Sequence, residues 1–366
     1  MWMSVAGAGI QLFWSALWDG CWPQKKSSPG AQTSKTSCSL LVCCHNEAHH
    51  LADLISAVGP CLDDLETHGW TVQALVIDHG STDDTLQVLE KATASDKRWL
   101  TTSIQRTRAT KKEALEAGMQ LATGRIIVLI DADCRPCAHE WLVQMTSGAL
   151  NQWDVHVGLS LPVQENDAKM SWLQRLQRLE ARRLAQRAAG AVQMGAPYLG
   201  FGRNLAFTRD IWDAVKGMQS HAHLPSGDDD LWLQEAAAKG ARVDVALDQS
   251  AQTESHWPLT WMAWRRQKTR HFTASTMYPW HVRLRLLLPG IGWLLLLGGL
   301  VHNPSGTSVA IFALAVMVRT LTFGKFLHRI GQPTSEAIEL VFEPVVSVFR
   351  LWSWCKGQTA DSTPWK

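Results

Sequence analysis

Asp131-Ala132-Asp133 follows directly on Arg125-Ile126-Ile127-Val128-Leu129-Ile130, a continuous apolar run. Two carboxylates one residue apart, just past a buried strand, can converge on one hard divalent cation and through it on a diphosphate. An isolated D-x-D more often caps a following helix. Position at the carboxyl end of a strand, where open α/β sheets bind ligands, makes this one a candidate metal pair. A second acidic strand end is Val76-Ile77-Asp78-His79-Gly80-Ser81-Thr82-Asp83. Two readings stand for it: Asp78 accepts hydrogen bonds from a base or ribose, or Asp78 or Ser81 caps the next helix.

Ser226-Gly227-Asp228-Asp229-Asp230-Leu231-Trp232 opens an amphipathic segment running to Lys239. Acidic residues in a first turn favour the helix dipole. Three adjacent carboxylates exceed that need, and their mutual repulsion raises the proton affinity of at least one, as a general base requires. Trp264-Arg265-Arg266-Gln267-Lys268-Thr269-Arg270-His271 is cationic. It reads equally as an interfacial helix on anionic lipid and as an Arg aimed at a leaving diphosphate.

The elements that must position these groups alternate. Ser39 to Cys44 and Val72 to Ile77 read as strands, with helical spacing over Leu51 to Leu65, Thr82 to Ala94 and Lys111 to Ala122. That order implies a doubly wound α/β sheet, mixed but mostly parallel. Met170 to Arg187 reads as an amphipathic helix whose Arg-rich face is solvated.

With 19% charged residues and a net charge of +2, the chain carries no field that would mark a nucleic-acid binder. The eight cysteines are scattered rather than paired at zinc or secreted-scaffold spacing, which suits a reducing compartment. Cys134 and Cys137 have C-x-x-C spacing, but no second ligand pair follows them.

Apolar segments frame the chain. Residues 1–22 form a candidate N-terminal membrane helix and 23–37 a linker rich in Lys, Ser, Thr, Pro and Gly. The catalytic domain is expected over 38–280, membrane helices over 281–356 (about 286–302, 308–324 and, spanning or interfacial, 336–354), and a tail over 357–366. Arg283 and Arg285 precede the first of these helices, and Lys325, His328 and Arg329 follow the second, so the cationic flanks of the hairpin fall on one side. The expected location is the cell (inner) membrane, multi-pass, with the catalytic domain facing the cytoplasm.

Together the motifs resemble the family 2 glycosyltransferases of GT-A fold. The resemblance runs from Ser39-Leu40-Leu41-Val42-Cys43-Cys44-His45-Asn46-Glu47 through Asp78, Lys111-Lys112, Asp131-Ala132-Asp133, Gly202-Arg203-Asn204-Leu205-Ala206 and Ser226 to Leu231, covering roughly residues 38 to 271. It implies a GT-A (Rossmann-like) nucleotide-sugar-binding domain in which Glu47 and Asp78 contact the nucleoside and Lys111 or Lys112 lies near the diphosphate. It further implies Mg2+ or Mn2+ on Asp131 and Asp133, with Asp228 as the base that deprotonates the acceptor hydroxyl. Gly202, Asn204, Asp229 and Asp230 would lie on the acceptor side. Gln267 and Arg270 look like the Q-x-x-R-W motif of membrane-embedded members.

The implied reaction is an inverting transfer from a nucleotide-diphosphate sugar, a UDP-sugar by expectation, to a lipid or membrane-proximal glycan. Three residues depart from the family pattern: His79 in place of Asp, Gly227 in place of Glu, and His271 in place of Trp. The competing readings are a nucleotidyltransferase acting on sugar phosphates and a membrane-tethered sugar-nucleotide-binding protein.

Overall fold

In the computed structural model, residues 1–16, 36–105, 110–149, 152–163 and 170–357 are described. The chain divides into two units, one of Gln24–Val163, Pro197–His256 and Ser362–Lys366, the other of Met1–Pro23, Gln164–Ala196 and Trp257–Asp361. Each is treated separately below as the sheet unit and the helical unit. Most of the sequence-expected linker 23–37 and nearly all of the tail 357–366 lie outside the described residues.

The sheet unit holds β1 (Ser37–Cys44), β2 (Thr71–Asp78), β3 (Trp99–Ser103), β4 (Ile126–Asp131), β6 (Val155–Gly158), β8 (Asn204–Thr208) and β9 (Val243–Ala246) in the order β3-β2-β1-β4-β8-β6-β9. Strands β1 to β4 are mutually parallel, β8 runs antiparallel to both β4 and β6, and β9 is parallel to β6. The mixed, mostly parallel sheet expected from the alternation is therefore present. A three-stranded sheet, β5 (Cys134–Pro136), β10 (Thr253–Ser255) and β7 (Ser160–Pro162), accompanies it.

Burial on both faces explains why the runs Leu40 to Cys44 in β1 and Ile126 to Ile130 in β4 are apolar rather than alternating: all of these residues are buried. Gly124, just before β4, lets the backbones close up. A Cβ there would stand 2.3 Å from Ser39 N, and its N–H donates instead to Ser39 Oγ at 2.8 Å.

Helices α2 (Ala48–Thr67), α3 (Thr85–Thr93), α4 (Lys111–Leu121), α5 (Trp141–Thr146), α7 (Arg209–Val215) and α8 (Asp230–Ala238) complete the unit. In α2, Leu51, Leu54, Ile55, Val58, Cys61, Leu62 and Leu65 are buried. That helical spacing presents one apolar face to the core.

The helical unit comprises α1 (Trp2–Trp14), α6 (Trp172–Gln193), α9 (Trp261–Thr273), α10 (Trp280–His302), α11 (Gly306–Arg329) and α12 (Glu343–Gly357). By length and apolarity α10 and α11 are each able to cross a membrane. Helix α1 has 13 residues, about 20 Å at 1.5 Å per residue, short of a full crossing. It packs on α10 through small residues: a Cβ on Gly7 would stand 2.7 Å from Leu296 N, and one on Gly299 would stand 2.7 Å from Ser4 N. Such close backbone approach is how helices associate where burial of apolar surface gives little drive. Residues 17–22 of the N-terminal segment lie outside the described residues.

Two sequence expectations for this unit need correction. The apolar stretch 336–354 is not one helix: a 3-10 segment, Thr334–Phe342, gives way to α12 at Glu343. Pro344 at the second position of α12 has no N–H to carry the helical ladder across the junction. The Arg-rich face of α6 is not solvated either. Arg178, Arg182, Arg183 and Arg187 are 4%, 2%, 2% and 7% exposed.

Those guanidiniums meet carboxylates from the far end of the chain. Arg178 pairs with Glu339 and Glu336, and Arg182 with Glu336. Arg183 and Arg187 each lie 3.0 Å from Glu343 Oε1, while Arg319 Nη2 approaches Oε2 at 2.5 Å. Lys268 on α9 pairs with Glu180 at 2.6 Å. A face that reads as polar and solvated is thus an internal ionic seam, since buried charges persist when paired.

Candidate active site

The parallel registers place Cys44 beside Asp78 and Cys43 beside Asp131, so the carboxyl ends of β2, β1 and β4 lie side by side. The chain moves outward from β1 through β2 to β3 in one direction and then returns to β4 on the other side of β1. That reversal is the crevice where doubly wound sheets bind ligands. Asp131 ends the strand there, with its side chain one-third exposed.

Lys111, the first residue of α4, joins the acidic groups. Its Nζ donates to Asp131 Oδ1 and, at 3.2 Å, to the Gly202 carbonyl, and lies 3.6 Å from Asp228 Oδ2. Burial works against its charge, but Asp131 and Asp228 outweigh it and hold Lys111 above the usual lysine range. The expected metal ligand and the expected base therefore converge on one ammonium, although 97 residues separate them.

Gly202 makes room for this. A Cβ there would lie 3.3 Å from Asp228 Oδ2 and from Asp229 Cβ, while its N–H donates to Asp229 Oδ2 at 3.0 Å. Burial, then the neighbouring Asp228, push the Asp229 carboxyl up to about 6. Asp230 turns into the first turn of α8, accepting from Leu231 N at 2.7 Å. Gly227, in place of an acidic residue, has φ +92°, a conformation that glycine adopts without strain.

Lys112 takes another direction from its neighbour. Its Nζ donates to the carbonyls of His221 (2.6 Å), Ser226 (2.7 Å) and Leu224 (3.2 Å). Burial pulls it down to about 8, so it remains mostly charged at neutral pH. It clamps the segment leading into Asp228 rather than facing the strand ends. We expect Lys112→Met to destabilise the protein by about 3 kcal/mol, because buried carbonyls lose a charged donor; urea unfolding measures it, and a change under 1 kcal/mol would refute the clamp.

Asp78 is fully buried and accepts from Ser103 Oγ at 2.7 Å and Ser81 N at 3.2 Å. His79 pairs with Glu113 on α4 at 2.7 Å, so this departure from the family pattern ties the β2 end to the helix that carries Lys111. Glu47 is 5% exposed, and its N–H donates to Thr85 Oγ1 at 2.9 Å. Asn46, at φ +56°, receives Thr82 N on its Oδ1 at 2.8 Å. The loops after β1 and β2 thus fasten to one another.

Asn204 opens β8, an interior strand of the sheet between β4 and β6. It is fully buried, donates to the Leu159 and Ala251 carbonyls and accepts from Trp141 Nε1. These contacts are structural. Gln267 and Arg270 belong to the helical unit, about one turn apart on α9.

The sequence reading assigned no role to Arg203. Ile130 faces Asn204 across the antiparallel β4–β8 pair, so Arg203 is the next residue in line with Asp131. Burial opposes its charge, while Cys134, Asp131, Asp133 and Asp229 together raise its pKa. The signal was present in the register, which only a paired sheet reveals.

Among the described residues no group of three or more His, Cys, Asp or Glu side chains is gathered as a metal site, so the case for a hard divalent cation rests on charge. Four carboxylates, Asp131, Asp133, Asp228 and Asp229, stand against the cations Lys111 and Arg203, leaving negative charge that such an ion offsets. Cys134 Sγ lies 3.6 Å from Asp133 Oδ1. Burial, then Asp133 and Asp131, push its thiol well above the ordinary range.

A doubly wound sheet binds ligands, nucleotides among them, at such a switch point. A family model described as glycosyltransferase like family 2 matches residues 36–274. The chain belongs to glycosyltransferase family 2, and it is a glycosyltransferase.

Its fold is similar to that of a mannosyltransferase from Pyrobaculum calidifontis in complex with GDP-Man and Mn2+, at 16% identity and TM-score 0.59 over 96% of this chain and 97% of that one. Partial likenesses extend to S. aureus TarS 1–349 (12% identity, TM-score 0.43, 88% and 89% covered). Another is to glucosyl-3-phosphoglycerate synthase from Mycobacterium tuberculosis in complex with Mn2+, UDP-Glc and PGA (15%, 0.40, 67% and 81%). No curated protein matches the sequence.

Proposed function

We propose that this glycosyltransferase uses Mg2+ or Mn2+ to transfer a sugar, with inversion, from a nucleotide-diphosphate sugar to a hydroxyl of a lipid or membrane-proximal glycan. The observation that carries the reading is the convergence of Asp131 and Asp228 on Lys111. A UDP-sugar is the favoured donor, and a mannosyltransferase of similar fold was solved with GDP-Man and Mn2+.

In this mechanism Asp228 accepts the acceptor hydroxyl's proton as its oxygen attacks the anomeric carbon. Lys111 offsets the repulsion between Asp131 and Asp228 and offers its charge to the diphosphate. Glu47 and Asp78 face the nucleoside, and Asp229 fixes the backbone at Gly202 on the acceptor side. Asp131 and Asp133 would hold the divalent ion, which would supply Lewis-acid stabilisation of the leaving group.

Helices α10 and α11 form a hairpin across the cell membrane, with both cationic ends on the cytoplasmic side with the catalytic unit. The exposed apolar side chains Leu294, Val301, Met317 and Leu321 on these helices support that placement.

The full chain incubated with a panel of sugar nucleotides, Mn2+ and membrane lipids is expected to release nucleoside diphosphate and yield a glycosylated product seen by mass spectrometry. Release of pyrophosphate would instead indicate a nucleotidyltransferase, and binding without turnover a sugar-nucleotide-binding protein. Chelation of the metal, or Asp131→Asn, is expected to lower transfer roughly 10³-fold. Transfer that persists in excess chelator would overturn the metal assignment.

A further inference from the structure

Within the helical unit, α6, α9, α10 and α12 line a pocket to which Arg187, Arg283 and Arg350 contribute cations and Leu286, Leu351 and Trp354 apolar surface. Arg187 is 93% buried, from its 7% exposure. Its Nη2 shares Glu343 with Arg183 and Arg319, and its Nε has no partner among the described residues. Arg283 is held by the carbonyls of Tyr278 and Thr276, which fix the guanidinium without neutralising it. Cationic donors over an apolar wall suit an anion that carries a hydrocarbon chain. Both Arg283 and Leu286 sit in the first turns of α10, the end whose cationic flank marks the membrane surface, where headgroups lie.

We propose that this pocket seats the phosphate of an anionic membrane lipid, with its chains against Leu286, Leu351 and Trp354. The proposal rests on the reading that α10 and α11 cross a membrane. Phosphate would receive the guanidinium of Arg283 beside the buried charge of Arg187, and the lipid would bind as a fixed part of the helical unit. Ser347, also on the wall, is a place to test this without removing a cation from the seam.

The test uses the full chain in mild detergent with fluorescent phosphatidic acid, with inorganic phosphate as competitor. Saturation near one lipid per chain is expected, weakened about tenfold or more by Arg187→Gln and by Ser347→Asp. Arg187→Gln also disturbs the Glu343 cluster, so Ser347→Asp, which adds an anion to the pocket, is the deciding variant. Unchanged lipid affinity in Ser347→Asp overturns the proposal, as does displacement by inorganic phosphate at equal affinity, which would make this a free-phosphate site. Flotation on phosphatidylcholine vesicles separates the two readings: a chain that floats yet binds no phosphatidic acid refutes the pocket alone, and one that does not float refutes the membrane reading beneath it.

Discussion

Asp228→Asn is expected to lower the rate of sugar transfer by roughly 10²–10⁴-fold, the usual contribution of a positioned general base, while donor affinity stays within a few-fold. The amide keeps the size of the side chain and the φ +92° turn at Gly227 that presents it, but it cannot take a proton. Donor binding by calorimetry and single-turnover release of nucleoside diphosphate together separate binding from chemistry. Removing the Asp228 charge also removes one of the causes that push Asp229 up to about 6, so the Asp229 carboxyl should titrate lower in the variant. Transfer retained within tenfold would refute Asp228 as the base.

Glu343→Gln should destabilise the helical unit by about 3–5 kcal/mol, the range for removing one partner of a buried ion pair. Arg183, Arg187 and Arg319 converge on this carboxylate, and Trp293 Nε1 donates to it at 3.2 Å. Burial alone would raise its pKa, but the Arg183, Arg319 and Arg187 charges outweigh that and hold it well below the ordinary value of 4.5. Because the folded pKa is depressed, the contribution is fully present above about pH 4.5 and is lost as pH falls toward the folded value. Urea unfolding in detergent should show a midpoint flat from pH 8 to 5 that declines below that in the wild type. The Glu343→Gln midpoint should start lower and lack that component of the decline. A loss under 1 kcal/mol would show that the seam is not stabilised through Glu343.

The sheet was legible because its signals are local. Apolar runs at Leu40 to Cys44 and Ile126 to Ile130 specify buried parallel strands, and the residues just beyond them fall at the ligand-binding edge. Asp131 could therefore be placed before any pairing was known. Lys111 and Lys112 could not be told apart by type, but consecutive helical residues point about 100° apart, so only one could reach Asp131. The reading failed where partners are distant in sequence. The arginines of α6 look solvated in any short window, because Glu336, Glu339 and Glu343 follow about 150 residues later and only the folded chain brings them together. The contacts of Asn204 were hidden for a related reason: Trp141, Leu159 and Ala251 satisfy its amide, and none is near it in sequence.

That separation also sets an order of events during synthesis. At about 5–20 residues per second, the 156 residues between Arg187 and Glu343 take about 8–30 s to emerge. Through that interval the carboxylates that pair with the α6 guanidiniums, Glu336, Glu339 and Glu343, are still to be made. A messenger truncated before the 3-10 segment Thr334–Phe342 would yield a chain with an apolar hairpin and a cationic helix lacking Glu336, Glu339 and Glu343, a suitable mark for quality control at the membrane. Completion of the last turns is thus what converts the nascent helical unit into a settled one.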